Sequence, residues 1–203
     1  MPFQDGIFTS AITSTLGEPA VMMVNFRARG RVVGTMHLGM ISQMITNGQI
    51  RCRIDPSKVR TGAVADYSHE DKTIYGTKAE GFYAEDKAMF VHECTHAMFH
   101  VLGFARAVTM KVLDDEIAAY LAGAIYVAAN GVTPRYADAR APDATAFTIA
   151  SRKRIAVNRT NTTQTNASSP IDFSDAELRP LIAAIQASRF YRNWNNTEVY
   201  RWP

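Results

Sequence analysis

The clearest hydrophobic pattern in the sequence predicts two consecutive helices in the middle of the chain. Apolar residues recur at helical spacing from Ala84 to Leu102 and stop at Gly103, a residue type that commonly ends a helix. A second apolar stripe runs from Val108 to Ala129 and ends at Asn130-Gly131. Because the connection between the two is short, we expect the helices to pack as neighbours with their near ends adjacent.

Alternating residues ahead of these helices predict a small antiparallel sheet. Residues 50–55 (IRCRID) alternate and end at Pro56, which is typical of a strand. Residues 62–67 (GAVADY) and 72–76 (KTIYG) flank the tetrad SHED and predict a β-hairpin. The sheet therefore comes directly before the first of the two helices.

One further helix is predicted before this region and another after it. The second of them starts at a capping box, Ser174 to Glu177, and extends to about Ser188. The first has apolar residues at helical spacing and is closed by Asn47-Gly48. Its apolar positions are Met36, Met40, Ile41, Met44 and Ile45.

The remaining segments carry weaker patterns. Residues 131–145 are rich in Pro, Ala and Asp and predict a loop, and the polar residues 158–170 (NRTNTTQTNASSP) predict a flexible one. The aromatic C-terminal segment, residues 189–203, is predicted to pack back on the body of the protein. The first thirty residues show no pattern that places them.

Composition favours one globular domain spanning residues 1–203, with 47% hydrophobic and 20% charged residues. No window approaches the roughly 18 uninterrupted apolar residues that a membrane span requires, so we expect no membrane partner. The N-terminal stretch MPFQDGIFTSAITS lacks the basic flank and apolar centre of a secretory signal. We therefore expect a cytoplasmic protein, or one exported without a cleavable signal peptide.

Net charge is +3, and the basic run at residues 151–159 (SRKRIAVNR) is the one local excess of positive charge that we single out. Such a run is most often a solvated helix or loop face. It is not accompanied by an aromatic RNA-binding signature, so we expect no nucleic-acid partner. The two cysteines, Cys52 and Cys94, are too few for a disulfide framework.

Residues 91–103 read VHECTHAMFHVLG and carry the most informative side chains. Positions four apart on a helix lie about 6 Å apart on one face, so His92 and His96 can both reach one metal ion, and neutral imidazole suits Zn²⁺. Glu93 is rotated by about 100° from His92. It can therefore face a water molecule on the metal and accept its proton. The alternative is an amphipathic helix whose polar face happens to carry imidazoles.

His100 continues the four-residue spacing but is not expected to bind the same ion. A helix rises about 12 Å over eight residues, so His92 and His100 cannot both lie at bonding distance from one metal without a break in the helix. The metzincin pattern has a glycine turn before its third histidine, and the intervening residues here contain no glycine. We predict a packing or supporting role for His100.

A catalytic zinc site needs a third protein ligand, and the second helix offers three consecutive acids, Asp114, Asp115 and Glu116. Acids also favour helix N-termini for electrostatic reasons, so their presence alone is not decisive. Glu116 begins a stripe that continues through small residues, which would allow close approach of the helices. We therefore prefer Glu116 as the ligand, with Asp115 as the second choice.

The sequence VHECTHAMFH followed by DDEIAAYLAGAIY resembles the gluzincin branch of zinc metallopeptidases, over about residues 62–130. It looks closest to small bacterial metallopeptidase domains of the effector or toxin type. The resemblance implies a zincin-like α+β fold, with a small antiparallel sheet and an edge hairpin packed on a helical bundle. It also implies one Zn²⁺ held by His92, His96 and Glu116, with Glu93 as general base and acid.

One position departs from the thermolysin-like pattern, which has an aspartate four residues after the ligand glutamate. Tyr120 stands there in this chain, so the support of the ligand histidines must differ. The resemblance further implies an edge strand that aligns a peptide substrate, for which 63–67 and 73–75 are both candidates. The donor to the oxyanion stays open among four residues. These are Tyr120, Tyr67, Tyr75 and His69.

These features predict a zinc-dependent metallopeptidase that acts on a peptide or protein. Two alternatives are an inactive zincin-like binding protein and a zinc amidase acting on a non-protein amide such as peptidoglycan. A peptidase made without an inhibitory segment must be selective, delivered elsewhere or held by an inhibitor. The resemblance therefore suggests an effector or toxin that uses a specialised secretion system and has an inhibitor or immunity protein as a partner.

Overall fold

A computed structural model describes residues 3–106, 110–134, 136, 138–160, 169–188, 191 and 199–200. These residues form an α+β structure with six α-helices connected by short strands and loops. The helices are α1 (Phe3–Leu16), α2 (Thr35–Thr46), α3 (Ala84–Arg106), α4 (Val112–Ala129), α5 (Pro142–Thr160) and α6 (Asp175–Ala187).

Among the described residues, eight short strands form three small sheets, with the orders β2-β1-β7, β3-β5-β4 and β6-β8. The strands are β1 (Phe26–Ala28), β2 (Arg31–Val33), β3 (Arg51–Ile54), β4 (Ala65–Ser68), β5 (Thr73–Gly76), β6 (Met110–Lys111), β7 (Ile171–Phe173) and β8 (Val199–Tyr200). In the part of the chain that is described, no helix is both long and apolar enough to cross a lipid bilayer.

The predicted hairpin is confirmed, but the expectation of an antiparallel sheet is wrong. Strands β4 and β5 pair antiparallel, whereas β3 pairs parallel with the other side of β5. The alternation of residues 50–55 indicates a strand and says nothing about its direction. Strand β5 is central and buried at all four positions, so residues 73–75 cannot serve as the predicted edge. Strand β4 is the edge strand next to α3.

The core is organised around α3 and α4, which pack side by side. All residues are buried from 90 to 100 in α3 and from 115 to 127 in α4. Two buried helices can approach each other closely only where the residue at the contact is small. Here that residue is Gly123, where a Cβ would lie 2.8 Å from the carbonyl oxygen of Ala88. This close contact sets the spacing of the two central helices.

Helix α1 was not predicted because its buried face is narrow. Phe8, Ile12 and Leu16 lie four residues apart on one side and are buried, while small polar residues separate them. Phe8 packs edge-to-face against Phe90 of α3, with ring centroids 5.7 Å apart. The carboxylate of Asp5 accepts a hydrogen bond from the backbone N–H of Ile54 and so joins α1 to β3.

Gly103 does not end α3, which continues to Arg106. A glycine inside a helix costs only about 1 kcal/mol relative to alanine, and Gly103 does not adopt the positive φ of a helix-ending glycine. The next helix was predicted to begin at Val108 and begins at Val112, because residues 110–111 form β6. Residues 107–109 lie outside the described part of the chain.

The predicted loop at 131–145 ends earlier than expected, because α5 begins at Pro142. Proline at the first helical position and an acid in the first turn both favour a helix start. Helix α5 also takes in the basic run 151–159 and the first three residues of the predicted flexible loop 158–170. Residues 161–168 of that loop are outside the described residues.

Three other predictions are confirmed. Helix α2 lies where the apolar spacing placed it, and Ile41 and Ile45 are buried as predicted. Of the other predicted apolar positions, Met36 is 87% exposed, and Leu38 contributes to the core in its place. The capping box of α6 forms with both of its hydrogen bonds. In the C-terminal segment Tyr191 is 4% exposed, and β8 pairs with β6. The rest of residues 189–203 is outside the described part of the chain.

We expect Gly123→Ala to destabilise the protein by about 1–3 kcal/mol, because the added Cβ would overlap a backbone carbonyl that cannot move independently of α3. The matched control is Gly39→Ala in α2, where no atom lies within 4 Å of the added Cβ. That control should stabilise the protein by up to about 1 kcal/mol. Urea unfolding measures both changes, and equal free energies of unfolding for the two variants would contradict the close-packing argument.

Candidate metal centre

Three buried side chains from the two central helices converge on one point. His92 and His96 lie one turn apart on α3, Glu116 lies in the first turns of α4, and each is 3–4% exposed. The Nε2 atoms of the two histidines are 3.0 Å apart. The Oε2 atom of Glu116 is 3.7 Å from each of them. The sequence-predicted ligand set is therefore brought together in space.

The triangle formed by these three atoms has the size that a metal ion requires. A point exists that lies about 2.0 Å from all three atoms, which matches the bond lengths of Zn²⁺ to imidazole nitrogen and carboxylate oxygen. Two imidazoles and one carboxylate also leave a further coordination position free for a fourth ligand. The group formed by His92, His96 and Glu116 could thus hold a metal ion.

Asp115, the second choice as a ligand, has a different position. Its Oδ2 atom is 2.8 Å from Nδ1 of His96, and because a carboxylate only accepts, the Nδ1–H of the imidazole is the donor. This hydrogen bond turns Nε2 of His96 toward Glu116 and fixes the tautomer that a metal needs. The support of the candidate ligand His96 thus differs from the thermolysin-like pattern, as the tyrosine at position 120 predicts. The aspartate that contacts His96 stands one residue before Glu116 and not four residues after it.

The electrostatics of the two histidines differ. Burial lowers the pKa of His96, but the carboxylates of Asp115 and Glu116 outweigh burial and raise the pKa to about 10. Burial, together with the neighbouring His96 and Arg60, lowers the pKa of His92 well below its ordinary value. A metal ion at Nε2 of His96 would have to displace a proton, so metal affinity should fall as the pH falls.

Glu93 is held at the side of this centre by a strand and a guanidinium. Its Oε2 accepts a hydrogen bond of 2.8 Å from the backbone N–H of Tyr67 in β4. Its Oε1 lies 3.5 Å from Nη2 of Arg60. Burial raises the pKa of Glu93 to about 7, although His96 and Arg60 oppose this rise. A carboxyl group with a pKa near neutrality can both accept and return a proton.

Arg60 and Tyr191 belong to the site although no sequence pattern singled them out. The backbone N–H and Nε of Arg60 donate to Oδ2 of Asp66 at 2.9 and 2.8 Å, and Nη2 lies 2.7 Å from Oδ1. Nη1 donates to the hydroxyl of Tyr191 at 3.2 Å, and that hydroxyl donates to Oε2 of Glu116 at 2.7 Å. A continuous network thus joins the candidate ligand Glu116 to the candidate base Glu93.

The four predicted oxyanion donors are not equally close to this centre. The ring of Tyr120 packs edge-on to His92, with centroids 4.6 Å apart, and its hydroxyl lies 3.4 Å from that of Tyr191. The hydroxyl of Tyr75 instead donates to Asp71. Tyr120 and Tyr191 are therefore the phenols that border the candidate metal centre.

The remaining two donors form a neighbouring cluster with His100. The hydroxyl of Tyr67 is 2.8 Å from Nδ1 of His100, and the ring of His69 lies 5.2 Å from that of His100 and 6.3 Å from that of His96. The group that could hold a metal does not include His100. Its position against Tyr67 agrees with the supporting role that helical geometry predicts.

A cavity with a volume of about 840 Å³ reaches the centre from the surface. His92 and Tyr120 form part of its lining, as do Gly62 and Val64 ahead of β4 and the first residues of α5. Because the candidate ligands themselves are almost fully buried, this cavity is the natural path by which a substrate would approach His92.

We expect Asp115→Asn to lower the affinity for a divalent transition metal about 10- to 100-fold, because an amide cannot hold the His96 imidazole as a carboxylate does. Competition with a chromogenic chelator measures this affinity. The matched control is Asp114→Asn, which removes the neighbouring acid that pairs with Arg29 and should leave metal affinity unchanged. An equal loss of metal affinity in both variants would show that it comes from removing negative charge at the start of α4 and not from the contact with His96.

Comparison of the chain with protein-family models, with curated proteins and with solved structures finds no match. The resemblance to gluzincin peptidases therefore stays a prediction from the sequence pattern. What supports a function for this chain is the arrangement of its own side chains: two imidazoles and a carboxylate within 4.8 Å of one another, with a second buried carboxylate beside them.

Proposed function

We propose that the protein is a zinc-dependent metallopeptidase. The observation that carries this proposal is the convergence of His92, His96 and Glu116 on one point, with Glu93 buried next to them. Each of these residues lies in the buried part of a central helix, so the helix packing fixes their backbone positions. Structural zinc sites have four protein ligands, whereas three ligands and a neighbouring carboxylate are typical of catalytic ones.

The donor set favours zinc among the common metals. Calcium and magnesium prefer six or more oxygen ligands or a shell of water, and two imidazoles do not supply that. Zinc binds imidazole and carboxylate in four-coordinate geometry and, when bound, polarises a carbonyl and lowers the pKa of a bound water to about 7. His92, His96 and Glu116 would hold it.

In this proposal Glu93 moves the proton. Its carboxylate takes a proton from the attacking water, whose oxygen forms a bond to the amide carbon. The same proton then passes to the amide nitrogen as the C–N bond breaks, which gives a carboxylic acid and an amine. The N–H of Tyr67 and the guanidinium of Arg60 orient the two carboxylate oxygens of Glu93 before the reaction starts. A base fixed in this way needs little reorganisation in the transition state.

Strand β4 is placed to align a peptide. The carbonyl of Val64 accepts from the N–H of Thr77, so alternate residues of this strand face β5. Ala65 and Tyr67 direct their backbone groups to the other edge, where both residues are buried. The N–H of Tyr67 reaches Glu93 on that edge. An extended peptide added alongside β4 would therefore have its backbone held close to the proton-transferring carboxylate.

The proposed substrate is a peptide or protein, and the biological setting stays a prediction from the sequence. An effector or toxin delivered by a specialised secretion system, with an inhibitor or immunity protein as its partner, is the setting that the resemblance implies. A zinc amidase acting on peptidoglycan would use the same residues, and comparing protein with cell-wall substrates would separate the two activities.

Elemental analysis of protein purified without a histidine tag should find about one zinc per chain. His96→Ala should lose that zinc, because only two ligands would remain. The matched control is His100→Ala, since His100 contacts Tyr67 and lies outside the ligand group. It should keep the metal. Absence of zinc from the parent protein after incubation with zinc would contradict the proposal.

Glu93→Gln should lower the rate of peptide hydrolysis by about 10²–10⁴-fold, because an amide cannot accept the proton of the attacking water. The zinc content should stay near one per chain, since Glu93 is not a ligand in the proposal. The matched control is Glu80→Gln, an exposed position outside the site, which should leave the rate unchanged. Retained hydrolysis in Glu93→Gln would rule out this residue as the base.

A further inference from the structure

The cavity beside the candidate metal centre has room for a substrate side chain, with a volume of about 840 Å³. Its inner wall includes His92 and Tyr120, and one side is formed by Gly62 and Val64, which lead into the edge strand β4. Side chains of an extended peptide point alternately to the two sides of its backbone. A peptide lying along β4 would therefore direct a side chain next to the reacting amide into this cavity.

The lining combines apolar walls with an excess of negative charge. The apolar part is formed by short side chains and aromatic rings, among them Ala88, Met89, Ala124, Tyr136 and Pro142. The charged lining residues are four acids and one base: Glu85, Asp86, Asp138, Asp143 and Arg140. Lys78 pairs with Asp86 at 2.7 Å, which still leaves more carboxylates than cations.

Asp143 is the carboxylate best placed to meet a ligand. It stands in the first turn of α5 and lines the cavity together with Tyr120 and Tyr136. Among the described residues, no basic side chain forms an ion pair with it within 4.0 Å. Burial raises the pKa of Asp143, although the charge of Arg60 opposes this rise, and a cationic ligand would stabilise the carboxylate further.

We propose that this cavity selects a lysine or arginine side chain of the substrate, next to the amide bond that is cleaved, with Asp143 as the carboxylate that binds its cation. This inference rests on the proposed peptidase function. The methylene stem of the side chain would pack on the apolar wall, and Tyr136 would offer an aromatic ring beside the cation. A neutral side chain of equal length would fill the space but leave the Asp143 carboxylate without its partner.

The test uses blocked hexapeptides that are identical except at one position, which carries lysine, arginine, norleucine or glutamate and is moved along the peptide. Lysine or arginine at one position next to the cleaved bond should give a kcat/KM about 10- to 100-fold above that of norleucine, the effect of one charge-assisted contact. A lysine-to-norleucine ratio of one or less in the parent protein would overturn the proposal.

Asp143→Asn should reduce the lysine-to-norleucine ratio to about one. The amide retains a polar group in the first turn of α5, so the substitution tests charge with little change of shape. The matched control is Asp175→Asn, which removes a carboxylate with 75% side-chain exposure from the first turn of α6. The lysine-to-norleucine ratio of this control should equal that of the parent protein. An unchanged ratio in Asp143→Asn would show that another residue causes the selectivity.

Binding to the Glu93→Gln variant, measured by fluorescence anisotropy with the same peptides, separates this proposal from the peptidase function. Tighter binding of the lysine peptide than of the norleucine peptide, lost on adding Asp143→Asn, would support the pocket even if the parent protein hydrolysed neither. Hydrolysis of both at equal rates would refute the pocket alone. Equal binding, or no binding of either peptide, would also overturn the pocket.

Discussion

The close contact between α3 and α4 is the constraint on which the site depends. At Gly123 the second helix approaches the backbone of Ala88 so closely that a Cβ would lie 2.8 Å from its carbonyl oxygen. Glu116 lies about two turns earlier on the same helix. The distance between the helices at Gly123 therefore determines how far the carboxylate of Glu116 lies from His92 and His96. Side chains on two tightly packed helices lose little freedom when they bind a metal, because packing has already ordered them.

The same packing buries several carboxylate side chains. Glu93, Asp115 and Glu116 are 1–3% exposed, and such carboxylates cost free energy unless cations or hydrogen bonds balance them. Arg60 and the Nδ1–H of His96 supply part of this balance. A divalent cation between the histidines and Glu116 would supply more. In this protein metal binding and folding stability should therefore be coupled.

The convergence of His92, His96 and Glu116 could be predicted because the four-residue spacing and the acid near the start of the next helix are visible in the sequence. Asp115 was named, but its role depends on which side of His96 faces α4, and that is a tertiary property. Arg60 and Tyr191 lie far apart in sequence and carry no local pattern, so only the folded chain brings them to Glu116. The direction of β3 was missed for a similar reason, since alternation predicts a strand and not its partner.

Under the proposed function, backbone recognition and side-chain recognition are divided between two parts of the fold. In the proposal, strand β4 pairs with the backbone of an extended peptide, and such pairing confers affinity with little choice of sequence. The cavity formed with α5 offers a carboxylate at a fixed position, and a fixed charge discriminates between substrates more sharply than apolar walls do. Among the described side chains of α5, those that line the cavity lie in its first turn, around Asp143. Selectivity could therefore change by substitution there without disturbing the two helices that carry the candidate metal ligands.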